Sequence, residues 1–338
     1  MPNLYKLIDT SEATELIRSG GSFSFIGDER ALAKLPKGNW VGGTTCYFTI
    51  DGKSVEERDK VFVIDYPAVA KLEKISLYKG ETVSNVTNDA PENGFTILFM
   101  PAGSGASLHY SQFAPTYPGL FLKPIAGWIT GMYLPDWNPA STHKDKLPKT
   151  FNGLTGESDT DSAIAMHFSL PQGKFAIVKT INPFVARKDS PVIRFEGNNS
   201  LIVRDAFVDG KKVNLPKYIL ENKVDFRFPI QANYSGTLIN VSLPPEIQGE
   251  EMLLHQAVFS DMDYRFTEVA PEFKDSQKSC ANNVIDPKKF IAGCSCILNH
   301  LSFNTNGGAL CGIDGPLTFG EICYQIVGNT SVYLEMEE

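Results

Sequence analysis

The sequence lacks clustered positive charge, long apolar runs and a recognisable export signal. Lys and Arg number 31 against 39 Asp and Glu, for a formal net charge of −8, and the densest basic clusters are only the pairs Lys211-Lys212 and Lys288-Lys289. Nucleic acids and anionic membranes are bound by clustered cations. No segment reaches the roughly eighteen consecutive apolar residues of a membrane-spanning helix. Residues 1–11 have neither the basic nor the apolar part of a signal peptide. We therefore expect a cytoplasmic protein whose partners include neither nucleic acid nor membrane.

Cysteine is scarce, and five of the six cysteines (Cys46, Cys280, Cys294, Cys296, Cys311 and Cys323) fall in the C-terminal part of the chain. In a cytoplasmic setting free thiols are more common than disulfides. The sequence has no C-x₂-C pair of the kind that binds zinc. Cys294 and Cys296 would face the same side of a strand, with Ser295 facing the other. We expect reduced, mostly buried thiols, no metal and no cofactor.

Apolar residues occur in short runs, which predict many strands and few, short helices. Helices are predicted over Asp9 to Arg18, over Asp28 to Leu35, through His109 and Phe113 after the turn Pro101 to Ser107, and over Leu215 to Asn222. The strands do not alternate regularly with helices, so a doubly wound nucleotide-binding fold is disfavoured. We expect an α+β fold with mixed or antiparallel sheets, short flanking helices and two lobes that meet at a cleft. The pair Pro244-Pro245 predicts a boundary between an N-terminal region, 1–243, and a C-terminal region, 244–338. A surface linker is predicted near 135–149.

A glycine-rich turn follows the apolar strand Phe95 to Met100. Gly103 and Gly105 flank Ser104 at the start of a predicted helix, where backbone N–H groups can bind an anion. The same turn has a second interpretation, in which Ser104 is a nucleophile between small residues. A base would then come from one of the four histidines His109, His167, His255 and His300, and no motif selects among them. A plain strand-to-helix turn is the structural alternative.

Three further stretches are candidate ligand contacts. Gly43, Thr44 and Thr45 combine a strand glycine, which permits close approach, with two hydroxyl groups. The loop from Gly315 through Phe319 to Glu321 places a carboxylate inside an apolar run, where it needs a partner or a ligand. Cys294 and Cys296 would line the core or the cleft, and Cys294 is a candidate thiol nucleophile. Each stretch has a structural alternative: a bulge, a salt bridge or an inert core thiol.

Together these pieces resemble the FIST-type sensory proteins (F-box and intracellular signal transduction domains). The resemblance rests on Val41-Gly-Gly-Thr-Thr45, on Gly94 to Pro101 with Ile125-Ala-Gly127, and on Ile291 to Cys296 with Gly315 to Ile322. The family usually has a Gly-Arg step after its C-terminal cysteine, where this sequence has Leu298-Asn299-His300. The resemblance implies FIST-like N-terminal and C-terminal regions and a sensor of a small ligand such as an amino acid, without catalysis. A signalling partner or a homo-oligomer would then pass the signal on.

The sequence therefore predicts an intracellular small-ligand-binding or sensory module. The expected cleft is formed by Gly43, Thr44, the Ser104 turn and the loop from Gly315 to Glu321. A hydrolase that uses Ser104 or a cysteine is one alternative. A non-catalytic structural or interaction protein is the other.

Overall fold

A computed structural model describes residues 5–136, 147–234, 236–244, 246–274, 285–303 and 313–338. The predicted linker falls largely on 137–146, and Cys280 and Cys311 also lie outside the described residues. The strands are β1 (Tyr5–Ile8), β2 (Phe23–Gly27), β3 (Trp40–Thr44), β4 (Tyr47–Ile50), β5 (Lys53–Glu56), β6 (Val61–Asp65), β7 (Lys71–Tyr78), β8 (Gly94–Pro101), β9 (Ile125–Thr130), β10 (Thr150–Asn152), β11 (Glu157–Asp159), β12 (Ala163–Ser169), β13 (Phe175–Ile181), β14 (Phe184–Ala186), β15 (Ile193–Arg194), β16 (Ser200–Val203), β17 (Asp205–Val208), β18 (Lys211–Asn214), β19 (Ile230–Tyr234), β20 (Thr237–Val241), β21 (Met252–Val258), β22 (Tyr264–Val269), β23 (Phe290–Cys296), β24 (Gly315–Thr318), β25 (Glu321–Cys323), β26 (Gln325–Val327) and β27 (Ser331–Glu337).

The helices are short. They are α1 (Thr10–Ser19), α2 (Glu29–Leu32), α3 (Val86–Asp89), α4 (Gly105–Phe113), α5 (Leu215–Glu221), α6 (Pro271–Lys274) and α7 (Ile297–Phe303). Further 3₁₀ turns cover Gly80–Asn85, Ala114–Thr116, Leu120–Leu122 and Leu134–Asp136. None of the helices in the described part of the chain is both long and apolar enough to cross a membrane.

Three six-stranded sheets form the body of the molecule. Sheet I has the order β1-β6-β2-β3-β10-β11, sheet II β26-β25-β9-β8-β12-β7, and sheet III β13-β27-β23-β24-β4-β5. Sheet IV has the order β18-β17-β15-β22-β19-β20 with β14 also on β22, and β16 pairs with β21 as sheet V. The pairs β2-β3, β8-β9 and β23-β24 are parallel. The predicted α+β class with mixed sheets is confirmed.

One apolar core lies between the three sheets of the body. Successive side chains of a strand point to opposite faces, so each strand feeds two layers. On β8, Phe95, Ile97 and Phe99 enter the central core, whereas Leu98 and Met100 pack under α4 on the outer face of sheet II. Sheet I is covered in the same way by α1 and α2, and sheet IV has a separate core with α5.

Two predicted strands are each divided between sheets. The sequence from Trp40 to Thr49 predicts one strand interrupted by Gly42-Gly43, but β3 ends at Thr44 in sheet I and β4 begins at Tyr47 in sheet III. The apolar run from Leu317 to Val327 also predicts one strand, which the structure splits into β24 in sheet III and β25 and β26 in sheet II. These two crossings bring the N-terminal and C-terminal parts of the chain together.

Pro244 lies between β20 and β21, and apolar side chains of both strands pack in one cluster. Beyond it, β24 pairs with β4 and β25 pairs with β9. The assignment of residues 244–338 to a separate region stays a prediction that these pairings do not support.

Candidate functional site

The first predicted glycine-threonine stretch packs against other parts of the chain. A Cβ atom on Gly43 would lie 2.6 Å from Cγ2 of Thr130, so this glycine allows sheets I and II to approach closely. The Thr44 hydroxyl donates a hydrogen bond to the Gly131 carbonyl at 2.6 Å and accepts one from the Lys149 backbone at 2.8 Å. The polar atoms of this stretch therefore serve the contact between sheets.

Thr45 and Gly315 also face protein atoms. The Thr45 hydroxyl donates to the Leu317 carbonyl at 3.0 Å, which fixes the crossing from sheet I to sheet III. Gly315 has φ 135°, and a Cβ atom there would overlap the hydroxyl group of Tyr5. That hydroxyl donates to the Gly293 carbonyl at 2.7 Å. The glycine thus makes room for a tyrosine.

Phe319 is half-buried beside the end of β9. A Cβ atom on Gly131 would overlap the Phe319 ring, so this glycine is required by the aromatic contact. The ring packs with Leu317 and Ile297 in a small apolar cluster. Phe319 is the one residue of the predicted loop that reaches partway to solvent.

Ser104 is the N-cap of α4. Its side chain accepts a hydrogen bond from the Ser107 backbone at 3.1 Å, which satisfies one of the free N–H groups of the helix start. The Gly105 N–H donates to the Asp161 carboxylate at 2.9 Å, and Gly103 has φ 74° at the exposed turn. A carboxylate of the protein therefore occupies part of the position predicted for an anionic ligand.

Within the described residues, no histidine forms a hydrogen bond with Ser104. Three histidines bond to hydroxyl groups elsewhere: His109 to Tyr117, His167 to Tyr78 and Thr96, and His300 to Ser54. The catalytic interpretation of Ser104 thus has no base in this geometry.

Glu321 is fully buried at the start of β25. The Thr318 hydroxyl donates to its Oε1 atom and the Thr330 hydroxyl to its Oε2 atom, both at 3.1 Å. Burial raises the pKa of Glu321 to about 8, and these hydrogen bonds offset the rise only in part. The carboxyl group is therefore mostly protonated at neutral pH, held by side chains of the protein.

Cys294 and Cys296 lie beside this carboxyl group. Each is 1% exposed, and burial, followed by the proximity of Glu321, raises the pKa of both thiols well above the usual range. Ser295 points the other way, as predicted, and its hydroxyl lies 2.9 Å from that of Ser331. A nucleophilic thiol needs a lowered pKa, so this environment disfavours a catalytic Cys294. Cys46 is also buried and Cys323 half-buried, both as free thiols.

The predicted residues therefore form two groups. Thr45, Gly315, Glu321 and the two cysteines meet in the packed region around β24 and β25, whereas the Ser104 turn lies at the start of α4 on the outer side of sheet II. Across the ranges that the structure covers, no three His, Cys, Asp or Glu side chains are arranged to hold a metal ion.

A concave site that the sequence did not indicate lies between sheet IV and α7. This junction pocket encloses about 510 Å³ and is lined by Arg187, Val224, Asp225, Phe228, Phe266, Thr267, Glu268, Val269 and Phe303. The strand β22 and the segment after α5 supply most of the wall, and Phe303 comes from the end of α7. Because α7 packs on β23 and β24 of sheet III, the pocket lies between sheet IV and the body formed by sheets I, II and III.

Two phenylalanines that line the junction pocket, Phe228 and Phe303, pack on a third, Phe184, which is buried behind them. The ring centroids of Phe228 and Phe303 are 5.2 Å apart, and both rings lie just under 6 Å from Phe184 on β14. Tilted and edge-on aromatic contacts of this kind are stabilising beyond the area that they bury. The aromatic wall is thus preformed.

Charged side chains lie at the rim of the pocket. Arg187 forms a two-point contact with Asp189, at 3.0 and 2.7 Å, and this hydrogen bonding raises its pKa. Arg227 contacts Asp225 in the same way, at 2.9 and 2.6 Å, which lowers the pKa of the carboxyl group. The sequence signal for this site was weak, namely two aromatic residues interleaved with charges in Asp225-Phe-Arg-Phe228.

A second arrangement that the sequence did not indicate is a serine–histidine pair. Oγ of Ser54 on β5 lies 2.6 Å from Nδ1 of His300 on α7. Burial lowers the pKa of His300, so its ring is neutral at pH 7 and able to accept a proton. The hydroxyl of Thr49, which is directly opposite Ser54 in the β4-β5 pair, is buried and has no hydrogen-bond partner among the residues that the structure describes.

Comparison with known proteins identifies the family. The chain belongs to a family of unknown function (DUF6976), whose sequence model matches residues 8–337. No curated protein and no solved structure matches the chain.

Proposed function

We propose that this protein is an intracellular sensory module that binds a small molecule, an amino acid or a similar metabolite, in the junction pocket. The observation that carries the proposal is the pocket itself. Its volume of about 510 Å³ lies within the range of known ligand sites, roughly 300–1,000 Å³. Aromatic walls with a few polar groups at the rim are typical of such sites.

The environment of the predicted nucleophiles supports binding over catalysis. Ser104 caps a helix, and Cys294 is buried beside a carboxyl group that disfavours its thiolate. In both cases the side chain has a structural partner within the fold. The proposal of a FIST-like sensor is compatible with this arrangement, since that resemblance implies binding without turnover.

Ligand binding would be passed on through the contact between sheet IV and α7. Phe303 belongs to α7, whereas Phe228 belongs to the segment after α5 on the other side of the pocket. A ligand that contacts both rings would change how tightly sheet IV packs on the body of the molecule. A signalling partner protein or a second copy of the chain is the proposed recipient of that change.

A thermal-shift screen of the full chain against amino acids and related metabolites tests the proposal. A ligand at a hundred times its Kd stabilises the folded state by about 2.7 kcal/mol. We expect Phe228→Ala to abolish the shift, because it removes one of the two contacting rings, Phe228 and Phe303, that line the pocket. Val269→Trp should also abolish it by filling the pocket.

Phe175→Ala is the matched control, since Phe175 is 47% exposed on β13 and lies outside the pocket. Its ligand-induced shift should equal that of the unmodified chain. A shift that persists in both pocket variants would place the ligand elsewhere, and the absence of any hit would favour a structural or interaction protein.

A hydrolase is the second candidate function, and the Ser54–His300 pair is the observation that favours it. The nucleophile would be Ser54 instead of Ser104 or a cysteine, with the neutral His300 ring as base. Labelling with a fluorophosphonate probe tests this assignment. Labelling should be lost in Ser54→Ala and in His300→Gln but retained in Ser104→Ala, and an unlabelled intact chain would exclude it.

A further inference from the structure

The side chains that line the junction pocket indicate which part of a ligand enters it. Five of the nine lining residues are apolar, and three of these five are the phenylalanines Phe228, Phe266 and Phe303. Resting on the proposed function, we infer that the pocket takes a planar aromatic ring. The ligand class is then aromatic metabolites, such as amino acids with an aromatic side chain, in preference to molecules with a saturated ring of the same size.

Two of the four polar side chains that line the pocket belong to ion pairs. Arg187 contacts the Asp189 carboxylate through two nitrogen atoms, at 3.0 and 2.7 Å. Both carboxylate oxygen atoms of Asp225 accept hydrogen bonds from Arg227, at 2.9 and 2.6 Å. A polar group of a ligand would therefore compete with an existing partner at both places.

The other two polar side chains are engaged as well. The Thr267 hydroxyl is 3% exposed and donates to the Pro229 carbonyl at 2.6 Å. Glu268 also has an interaction partner within the protein. A polar ligand group placed among these side chains would lose its hydrogen bonds to water without meeting an unengaged side chain, which is costly. The part of the ligand that enters the pocket is therefore apolar, and its polar groups stay at the rim.

The rings favour an aromatic body over an aliphatic one. Phe228 and Phe303 are tilted by 38° with 5.2 Å between their centroids, and both are partly exposed, so part of each ring is open to a ligand. Phe266 is 4% exposed and stacks on Tyr218 with an interplanar angle of 3°. Aromatic pairs in stacked or edge-on contact gain free energy beyond that of apolar burial. A saturated ring in the same position gains only the burial.

Calorimetric titration of the full chain with two matched pairs of probes tests the inference. L-phenylalanine and 3-cyclohexyl-L-alanine share one charged head group, whereas 2-phenylethanol and 2-cyclohexylethanol share an uncharged hydroxyl group. The saturated ring of each pair presents more apolar surface, so burial alone would make the saturated member the tighter ligand. We expect the opposite order, with the aromatic member about five-fold tighter than its saturated counterpart.

Two leucine variants identify the rings that give the preference. Phe303→Leu keeps an apolar side chain in the wall but removes its ring, so the affinity for the aromatic member should fall to that for the saturated member, which should change little. Phe228→Leu is the second variant, in case the first fails to fold. Phe175→Leu is the matched control, since Phe175 is exposed on β13 and lies outside the pocket, and it should keep the full preference.

The outcomes separate the two proposals. If the saturated members bind as tightly as the aromatic ones and Phe228→Ala abolishes that binding, the pocket stands and the aromatic preference is overturned. A preference that persists in both leucine variants also overturns the inference, because these rings are then not its source. If none of the four probes binds, the inference fails, and the thermal-shift screen decides separately whether the pocket binds another ligand. If binding persists in both Phe228→Ala and Val269→Trp, the proposed function fails together with the inference.

Discussion

At the scale of single residues, Glu321 couples the fold to pH. Its carboxyl group is 0% exposed, and burial raises its pKa to about 8 from a usual value near 4.5. A folded-state pKa above the unfolded value means that the folded protein holds a proton that the unfolded chain releases. The contribution of Glu321 to the free energy of unfolding is fully present below about pH 4.5 and is lost as the pH rises through 8.

We predict that the free energy of unfolding falls by roughly 3–5 kcal/mol between pH 5 and pH 9 through this group. Glu321→Gln keeps the shape of the protonated acid but cannot ionise, so its unfolding free energy should vary much less over that range. Urea unfolding at several pH values measures the difference. Glu157→Gln serves as the control, and an equal slope in both variants would contradict the assignment.

His167 makes the stability of the fold depend on pH in the opposite direction. Its ring is fully buried between Tyr78 and Thr96, with hydrogen bonds of 3.0 and 2.9 Å, and burial lowers its pKa to about 4. Because the folded pKa lies below the unfolded value near 6.5, the stabilisation is present above pH 6.5 and is lost as the pH falls toward 4.

We predict that His167→Gln reduces the loss of stability between pH 6.5 and pH 4.5, whatever its effect on stability at neutral pH. The quantity to compare is the slope of unfolding free energy against pH, measured by urea titration. His109→Gln replaces a half-buried histidine outside this network and should leave the slope unchanged. A slope in His167→Gln as steep as in the unmodified chain would show that other groups titrate.

At the scale of elements, the start of α4 separates a capping role from a catalytic one. We predict that Ser104→Ala lowers the free energy of unfolding by about 1 kcal/mol, because the Ser107 N–H loses its acceptor. Ser104→Asp should retain most of the stability, since aspartate is an equally good N-cap. Chemical denaturation of the three proteins measures this. Loss of an enzymatic activity in Ser104→Asp at full stability would restore the catalytic interpretation.

Element type was predictable where the apolar pattern was strong, and sheet membership was not. The run Phe95 to Met100 was correctly predicted as a buried strand, since β8 covers Gly94–Pro101 and is buried throughout. The crossings at Thr45 and Phe319 were missed because no local pattern shows which sheet a strand joins. What ends each strand is a long-range contact, such as the Thr45 hydroxyl on the Leu317 carbonyl.

The same dependence on distant contacts explains why the sequence predicted the candidate site only in part. The sequence located glycines and a buried carboxylate that need special surroundings, but it could not tell whether a ligand or the protein supplies them. For Gly315 the neighbour is Tyr5, nearly the whole chain away. The junction pocket draws on Arg187, Asp225, Glu268 and Phe303, and no local pattern connects positions so far apart.

At the scale of the whole molecule, the body depends on both ends of the chain. In sheet III, β27 lies between β13 and β23, and β24 joins this set to β4. The central core combines Phe62 and Phe99 from the N-terminal part with Ile291 and Leu334 from the C-terminal part.

We therefore predict that residues 1–243 do not fold on their own. Without the C-terminal strands, β4 loses β24 and β9 loses β25, so buried edges of sheets II and III lie open and the central core lacks one wall. Circular dichroism and thermal unfolding of this fragment should show no cooperative transition. Co-expression with residues 244–338 should restore the transition, because the missing strands can then pair with their original partners. A sharp transition in the isolated fragment would establish Pro244 as a true domain boundary, since the N-terminal region would then have a core of its own.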